Sequence, residues 1–135
     1  MSQSASVSLL TTVVGFIPIS FGINAILRPE HALTFFEFEP PVAPSGRSLV
    51  DNLMIIYGVR DIFMGLAIYA AGFLGTRKSL GWTLIATSAV AFADGAVCWS
   101  QGHGQWNHWG YAPVLAIIGG LLVGSDGKNT TDKTH

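Results

Sequence analysis

Charged residues are scarce in this chain. Only 11% of its 135 residues are Asp, Glu, Lys or Arg, whereas 50% are hydrophobic. A typical soluble domain carries about 25% charged residues, so this chain has too few to cover a water-facing surface. Its net charge is −1, whereas a protein that binds nucleic acid normally has an excess of lysine and arginine. The composition therefore predicts an integral membrane protein that has the lipid bilayer as a partner and no nucleic-acid partner.

Cysteine and the common cofactor motifs are also missing or nearly so. Cys98 is the single cysteine, which excludes a disulfide within the chain, and no Cys/His pattern has metal-site spacing. His103 and His108 are too far apart in sequence for a helical metal site, where i+3 or i+4 spacing is needed. The dinucleotide fingerprint, the phosphate-binding loop, the HExxH motif and the nucleophile elbow do not occur. We therefore predict neither a cofactor nor a metal ion.

Long apolar runs take the place of charge. Four of them reach or approach the roughly 20 residues that cross a bilayer core. Between the first two runs lies a Phe-rich connection whose Pro40-Pro41 and Pro44-Ser45-Gly46 sequences indicate turns. We predict an all-α fold, a four-transmembrane-helix bundle with a short interfacial helix between the first and second spans. It forms a single domain over residues 1–135, with spans at about 7–27, 49–74, 80–100 and 107–125 and a disordered tail at 126–135.

Small residues recur at every seventh position in three of these spans. This spacing keeps them on one stripe of a helix, and small side chains let neighbouring helices approach closely in lipid. The matching stripes predict a tight, left-handed pair of the second and third spans, and glycine-rich faces that can join copies of the chain in a homo-oligomer. The positions are Gly15 and Gly22, then Gly58, Gly65 and Gly72, then Gly81, Ser88 and Gly95.

An arginine and an aspartate, Arg60 and Asp61, stand side by side in the otherwise nearly apolar second span. Ionisable groups at such depth are costly, so they usually face the bundle interior and serve a purpose. Asp94 is the third charge inside the predicted membrane spans. One interpretation is a structural ion pair of Arg60 with either aspartate, which only fixes helix register. The other is a catalytic site in which Arg60 holds a substrate oxygen while Asp61 or Asp94 moves a proton.

Polar and aromatic residues gather in the loops on the side where the first and third spans end. His103 or His108 is a candidate auxiliary acid because histidine titrates near neutral pH, whereas the tryptophans also fit an interfacial aromatic belt. We predict a polar cup that opens to this side and holds a small molecule. The predicted catalytic residues are Arg60, Asp61, Asp94, His103 and His108, and the predicted substrate-binding residues are Asn24, Asp51, Tyr57, Trp99 and Trp106.

The distribution of lysine and arginine predicts the orientation in the membrane. Four spans place both termini on one side, and positive residues are enriched on the cytosolic side of membranes. The termini are therefore predicted to be cytosolic, and in a eukaryotic cell the membrane would be that of the endoplasmic reticulum. The terminal side carries Arg77, Lys78, Lys128 and Lys133, and the other side carries Arg28 and Arg47.

The first span ends in Arg28-Pro29, a Phe-rich connection follows, and the second span contains Gly58-Val59-Arg60-Asp61 with Gly65. This pattern resembles a family of small four-helix integral membrane proteins of fungi and bacteria, catalogued mainly as a domain of unknown function. The family's third helix usually carries an aspartate, which Asp94 matches. The likeness covers roughly residues 9–124. Some fungal members lie among genes for polyketide or terpenoid biosynthesis, so the resemblance implies an enzyme or accessory protein that acts on a lipophilic metabolite.

These observations lead to one preferred function and two alternatives. We expect a membrane-embedded enzyme that performs cofactor-free proton transfer, such as isomerisation, cyclisation or dehydration, on a lipophilic small molecule, within secondary-metabolite biosynthesis. The first alternative is a non-catalytic membrane scaffold or lipid-binding accessory subunit, in which the charges fix helix register. The second is a proton-coupled carrier that works as an oligomer.

Overall fold

The computed structural model describes residues 4–131, and over this range it consists of helices and contains no strand. The predicted all-α fold, with a short helix after the first span, is confirmed. A 3₁₀ turn, Thr34–Phe36, follows the second helix, and a π-helical turn, Ala70–Leu74, extends the third. The helices are α1 (Ala5–Leu27), α2 (Pro29–Leu33), α3 (Pro44–Tyr69), α4 (Arg77–Ser100), α5 (Trp106–Trp109) and α6 (Ala112–Thr131).

Four segments are long and apolar enough to cross a membrane, which indicates a multi-pass membrane protein. Large apolar side chains such as Leu9, Phe63 and Leu121 are exposed on their outer faces, as lipid contact requires. The fourth segment combines α5 with most of α6. The four segments are Ala5–Leu27, Pro44–Leu74, Arg77–Ser100 and Trp106–Ser125.

Two helix ends differ from the prediction. Pro44-Ser45-Gly46 was expected to form a turn, but these residues are the first turn of α3, because proline is favoured at the first helical position. At the other end of the chain, α6 continues to Thr131. Residues 126–131 of the predicted disordered tail are thus helical, since no proline interrupts α6 after its first turn, and residues 132–135 lie outside the described part of the chain.

The helices pack as two pairs, α1 with α3 and α4 with α6. The predicted tight pairing of the second and third spans is therefore wrong, because the glycine stripe of α3 faces the stripe of α1. A Cβ atom added at Gly22 would meet the backbone carbonyl of Gly58. In the second pair, Gly81 lies in the same way against Gly119. The glycines thus allow each pair to approach backbone to backbone.

The two pairs meet at their ends and leave space between them. Ile68, Leu80 and Leu84 form a buried cluster at the end where α1 begins. At the opposite end, the aromatic ring of Phe36 packs with Met54 and other apolar side chains. Cys98 is fully buried in this second cluster as a small apolar residue. The region between the two clusters is the site described next.

Candidate functional site

A cavity of about 470 Å³ lies between the α1–α3 pair and the α4–α6 pair. Most of its wall is apolar, with contributions such as Val14 from α1, Met64 from α3 and Ile118 from α6. Small-molecule sites commonly have volumes of about 300–1,000 Å³, apolar walls and a few polar groups. The main polar groups on this wall are Tyr57, Asp61, Asp94, Asn107, His108 and Tyr111.

Arg60 joins two carboxylates from two helices. Its Nη1 donates to Asp94 Oδ1 at 3.0 Å and its Nη2 donates to Asp94 Oδ2 at 2.8 Å, which is a two-pronged ion pair between α3 and α4. Its Nε and Nη2 also donate to Asp61 Oδ1, at 3.3 and 3.2 Å. These bonds use four of the five N–H donors of a guanidinium group. Both forms of the predicted ion pair therefore occur together.

Helical geometry explains how neighbouring residues reach different places. Met54, Gly58, Asp61 and Gly65 lie on the buried side of α3. Arg60 points about 100° away from Asp61 around the helix, and its side chain remains 36% exposed. The guanidinium carbon lies 4.4 Å from the centroid of the Tyr57 ring, a cation–π contact that holds the charge in place.

Arg60 is not part of the cavity wall. Its predicted role, direct binding of a substrate oxygen, therefore has no support from this placement. Asp61 and Asp94 do reach the wall, and Arg60 uses only one oxygen of Asp61, Oδ1. The arginine instead positions two carboxylates at the edge of the cavity.

His108 is the most unusual group on the wall. The residue is only 3% exposed, yet neither ring nitrogen has a hydrogen-bond partner among the described residues. Its ring packs against Phe36, with centroids 4.8 Å apart, and lies 6.4 Å from the ring of Tyr111. Buried polar atoms in proteins normally have a partner. A ligand in the cavity can supply one, and this makes His108 the strongest candidate for ligand contact.

The loop ends of the bundle form a cap, which we define as residues 34–38 together with residues 102–109. The side-chain amide of Asn107 donates to the carbonyl of Phe35 at 3.1 Å and to Glu37 Oε1 at 3.4 Å, which ties the two halves of the cap together. Gly104 has a φ of +85° and its Cα lies against the Phe36 carbonyl. Trp109 anchors α5 by donating to the carbonyl of Phe92 at 3.1 Å.

Several predicted site residues lie elsewhere. His103 is half-exposed, and its Nδ1 is 3.9 Å from a carboxylate oxygen of Glu37. Asp51 is half-buried in α3, away from the cavity wall. Trp99 and Trp106 are exposed. The tryptophan of α5 that packs against α4 is Trp109.

Asn24 belongs to a separate, smaller hollow. This hollow has a volume of about 180 Å³ and is also lined by Ser20, Phe21 and Phe35. Asn24 Oδ1 lies 3.0 Å from His31 Nδ1, so the first-loop histidine contacts Asn24 rather than the main cavity. The structure therefore gathers Tyr57, Asp61, Asp94 and His108 in one place, and Asn24 in another.

Sequence reasoning missed Thr87 on the wall, and it missed two further polar residues, Asn107 and Tyr111. Both follow from the short helix α5, whose one turn directs Asn107 and His108 towards the bundle. The only sequence signal is the spacing of Trp106 and Trp109, which fits a single helical turn.

A family model for a domain of unknown function, DUF4267, matches residues 15–122. The chain belongs to the DUF4267 family. No curated protein and no solved structure gives a significant match to it. The DUF4267 region includes the ion cluster of α3 and α4, the cap and the start of α6. The expected membership of an uncharacterised family is thereby confirmed.

The DUF4267 site brings proton-carrying groups together. Within residues 4–131, no three histidine, cysteine, aspartate or glutamate side chains are close enough to hold a metal ion. What the site does combine is a carboxylate pair fixed by an arginine, an unpaired imidazole and a largely apolar chamber. Such groups can donate and accept protons next to an apolar molecule.

Proposed function

We propose that this DUF4267 protein is a membrane-embedded enzyme that transfers protons on a lipophilic small molecule, by isomerisation, cyclisation or dehydration. The observation that carries the proposal is the placement of His108. It is buried, it has no partner among the described residues, and it shares a cavity with Asp61 and Asp94. A structural histidine would normally have at least one of its ring nitrogens paired.

The charges of the site support a single mobile proton. Arg60 contributes one positive charge, and Asp61 and Asp94 contribute two negative charges when ionised, so the cluster carries one unit of net negative charge. Uncompensated charge in a low-dielectric region is costly. One additional proton, on His108 or on an aspartate, makes the site neutral. The site is therefore most stable when it holds one proton that it can give to a substrate.

The roles then divide by position. His108 would donate the proton to the substrate, and the carboxylate of Asp61, whose Oδ2 is not used by Arg60, would remove one from another atom. One proton enters the substrate and one leaves it, so an isomerisation of this kind is balanced without an oxidant or reductant. Arg60 acts as a positioning residue, since it touches the carboxylates and not the cavity.

Metabolite profiling of host cells tests this function. We would compare wild-type protein with His108→Phe and, as a matched control, His103→Phe, and confirm by immunoblot that all three accumulate in membranes. A lipophilic precursor should build up with His108→Phe alone, and its identity would name the reaction. If His108→Phe accumulates normally and leaves the profile unchanged, the enzymatic proposal is wrong.

The alternative is a non-catalytic lipid-binding subunit, and the predominantly apolar wall favours it. Such a protein would bind the same kind of molecule and release it unaltered. Mass spectrometry of lipids that copurify with the protein separates the two functions. Recovery of one bound compound, identical from wild type and from Asp61→Asn, favours the binding role, whereas recovery of a product from wild type and a precursor from Asp61→Asn favours catalysis.

We further propose that both termini face the cytosol, on the basis of the lysine and arginine distribution. The sequence Asn129-Thr130-Thr131 is a glycosylation sequon, which supplies an internal test. In a eukaryotic host it should remain unmodified. A mass increase that is removed by a glycosidase would reverse this orientation.

A further inference from the structure

The cavity is closed on most of its sides. The ion pair between Arg60 and Asp94 bridges α3 and α4 on one side. The cluster of Ile68, Leu80 and Leu84 closes the end where α1 begins. The cap closes the other end, where the amide of Asn107 joins its two halves. The side between α1 and α6 remains.

The cavity wall reaches the protein surface on this remaining side. α1 packs with α3 and α6 packs with α4, and in the described chain α1 and α6 are not closely packed on each other. Four hydrophobic residues that line the cavity are between 38% and 52% exposed, and they flank this gap. Asn107 and Gly110 also line the cavity and are exposed, in and next to the cap. The four hydrophobic residues, which we call the rim residues, are Ile17 and Phe21 on α1, Tyr111 directly before α6, and Val114 on α6.

The rim lies within the membrane-spanning segments. Ile17 is near the middle of the span Ala5–Leu27, and Val114 is inside the span Trp106–Ser125. Three of the four rim side chains are wholly apolar, and Tyr111 carries a single hydroxyl. An opening of this composition faces hydrocarbon rather than water, because apolar side chains are the ones that lipid tails accommodate.

We propose that the ligand is dissolved in the bilayer and reaches the cavity sideways, through the gap between α1 and α6. It would be a neutral molecule with an apolar body and one hydroxyl or carbonyl group. The expectation of a neutral ligand rests on the proposed function, in which the site is neutral when it holds one proton. The apolar body matches the wall, and the oxygen matches the unpaired nitrogens of His108, since a hydroxyl can both donate and accept.

A photoreactive probe tests the route directly. The purified full-length protein would be placed in phosphatidylcholine vesicles that contain a long-chain alcohol bearing a diazirine, then illuminated at increasing times after the probe is added. Peptide mapping would report labelling of Met64, which lines the cavity from α3. The test variant is Val114→Trp, which narrows the gap. The matched control is Ile117→Trp on the same helix, at a residue that is 63% exposed and does not line the cavity.

We expect Val114→Trp to slow labelling of Met64 by about tenfold, which corresponds to about 1.4 kcal/mol, while Ile117→Trp labels at the wild-type rate. Val114→Ala, which widens the gap, should label at least as fast as wild type and covers the case in which Val114→Trp does not fold. Equal rates in wild type, Val114→Trp and Val114→Ala would overturn the lateral route. Equally rapid labelling by a short, water-soluble diazirine would overturn it as well.

This experiment needs no turnover, so its failure is distinct from failure of the enzymatic proposal. If Val114→Trp slows labelling while His108→Phe leaves host metabolites unchanged, the lateral route stands and catalysis does not. A long-chain ammonium probe that labels Met64 in preference to the alcohol would overturn the assignment of a neutral ligand.

Discussion

Replacement of His108 by phenylalanine should stabilise the protein while it abolishes function. A neutral imidazole has one N–H donor and one acceptor nitrogen, and in the structure both are buried without a partner among the described residues. Leaving such a group unpaired costs about 1–3 kcal/mol. A phenyl ring removes both groups and keeps the packing against Phe36 and Tyr111. Since the ring borders the cavity, a slightly larger side chain can be accommodated.

The expected gain in the free energy of unfolding is about 1–3 kcal/mol, and it falls towards the lower value where water in the cavity hydrates the wild-type ring. The measurement is reversible unfolding in mixed micelles with increasing dodecyl sulfate, followed by far-ultraviolet circular dichroism. His103→Phe is the control. Its side chain is half-exposed, so its free energy of unfolding should change by less than about 0.5 kcal/mol.

A decrease in the free energy of unfolding on His108→Phe would refute the reasoning. If His108→Phe lowers the free energy of unfolding by more than about 1 kcal/mol, the imidazole must make stabilising hydrogen bonds. His108 would then be a structural residue, and the argument for ligand contact would fail with it.

Three further predictions concern the ion cluster, the helix contact and the cap. Arg60→Lys keeps the charge but loses the fork that holds two carboxylates, so we expect a loss of about 1–3 kcal/mol in the free energy of unfolding. Arg60→Gln should lower the free energy of unfolding further. Removing one partner of a fully buried ion pair costs about 3–5 kcal/mol, and the loss here should be smaller than that because the Arg60 side chain is partly exposed. Unchanged stability of Arg60→Gln in the same micelle titration would contradict a structural ion cluster. Gly58→Val should force α1 away from α3 and cause aggregation on size-exclusion chromatography in detergent, because the Gly22 backbone lies against its Cα. Gly120→Val is the matched control, since no described atom would meet its Cβ within 4 Å, and an equal effect of both would refute the close helix contact. Gly104→Ala requires an unfavourable positive φ and meets the Phe36 carbonyl, so hydrogen–deuterium exchange at residues 34–38 should accelerate, whereas unchanged exchange would show that this glycine does not hold the cap.

Apolar runs and the rarity of charge were sufficient to predict the four spans. A chain that crosses hydrocarbon must form long helices, in which the backbone groups hydrogen-bond to one another. The same reasoning predicted that the charged residues of the second span face the bundle interior, and Asp61 does so. It also offered an ion pair of Arg60 with Asp61 or Asp94 as one interpretation, because so few charges occur within the spans. These features depend on composition and helical period, and both can be read from one sequence.

The pairing of helices could not be obtained in this way. Glycine stripes on three spans show that each has a close neighbour, but they do not say which one. The contact glycine of α6, Gly119, has no second glycine seven residues away. Gly120 and Gly124, which have the GxxxG spacing of many helix contacts, instead lie where an added Cβ would meet no described atom within 4 Å. The pairing therefore depends on three-dimensional fit.

The roles of the two loop histidines were equally undetermined. His103 and His108 stand five residues apart in the same connection, His103 between two glycines and His108 between Asn107 and Trp109. Their difference arises from Gly104, whose positive φ turns the chain, and from the single helical turn of α5, which directs His108 inward. A sequence pattern of a few residues does not specify such a turn.

The pairing of α1 with α3 and of α4 with α6 also has a consequence for biogenesis. Each pair is made from one half of the chain, and the halves are joined at residues 75–76. The first pair can therefore assemble in the membrane while the second half is still being synthesised, since chains are made from the N-terminus. The ion pair of Arg60 with Asp94 and the cap would form last, when the halves dock. Two separately expressed fragments divided between α3 and α4 should accordingly insert on their own and reassemble through the Arg60–Asp94 ion pair and the cap.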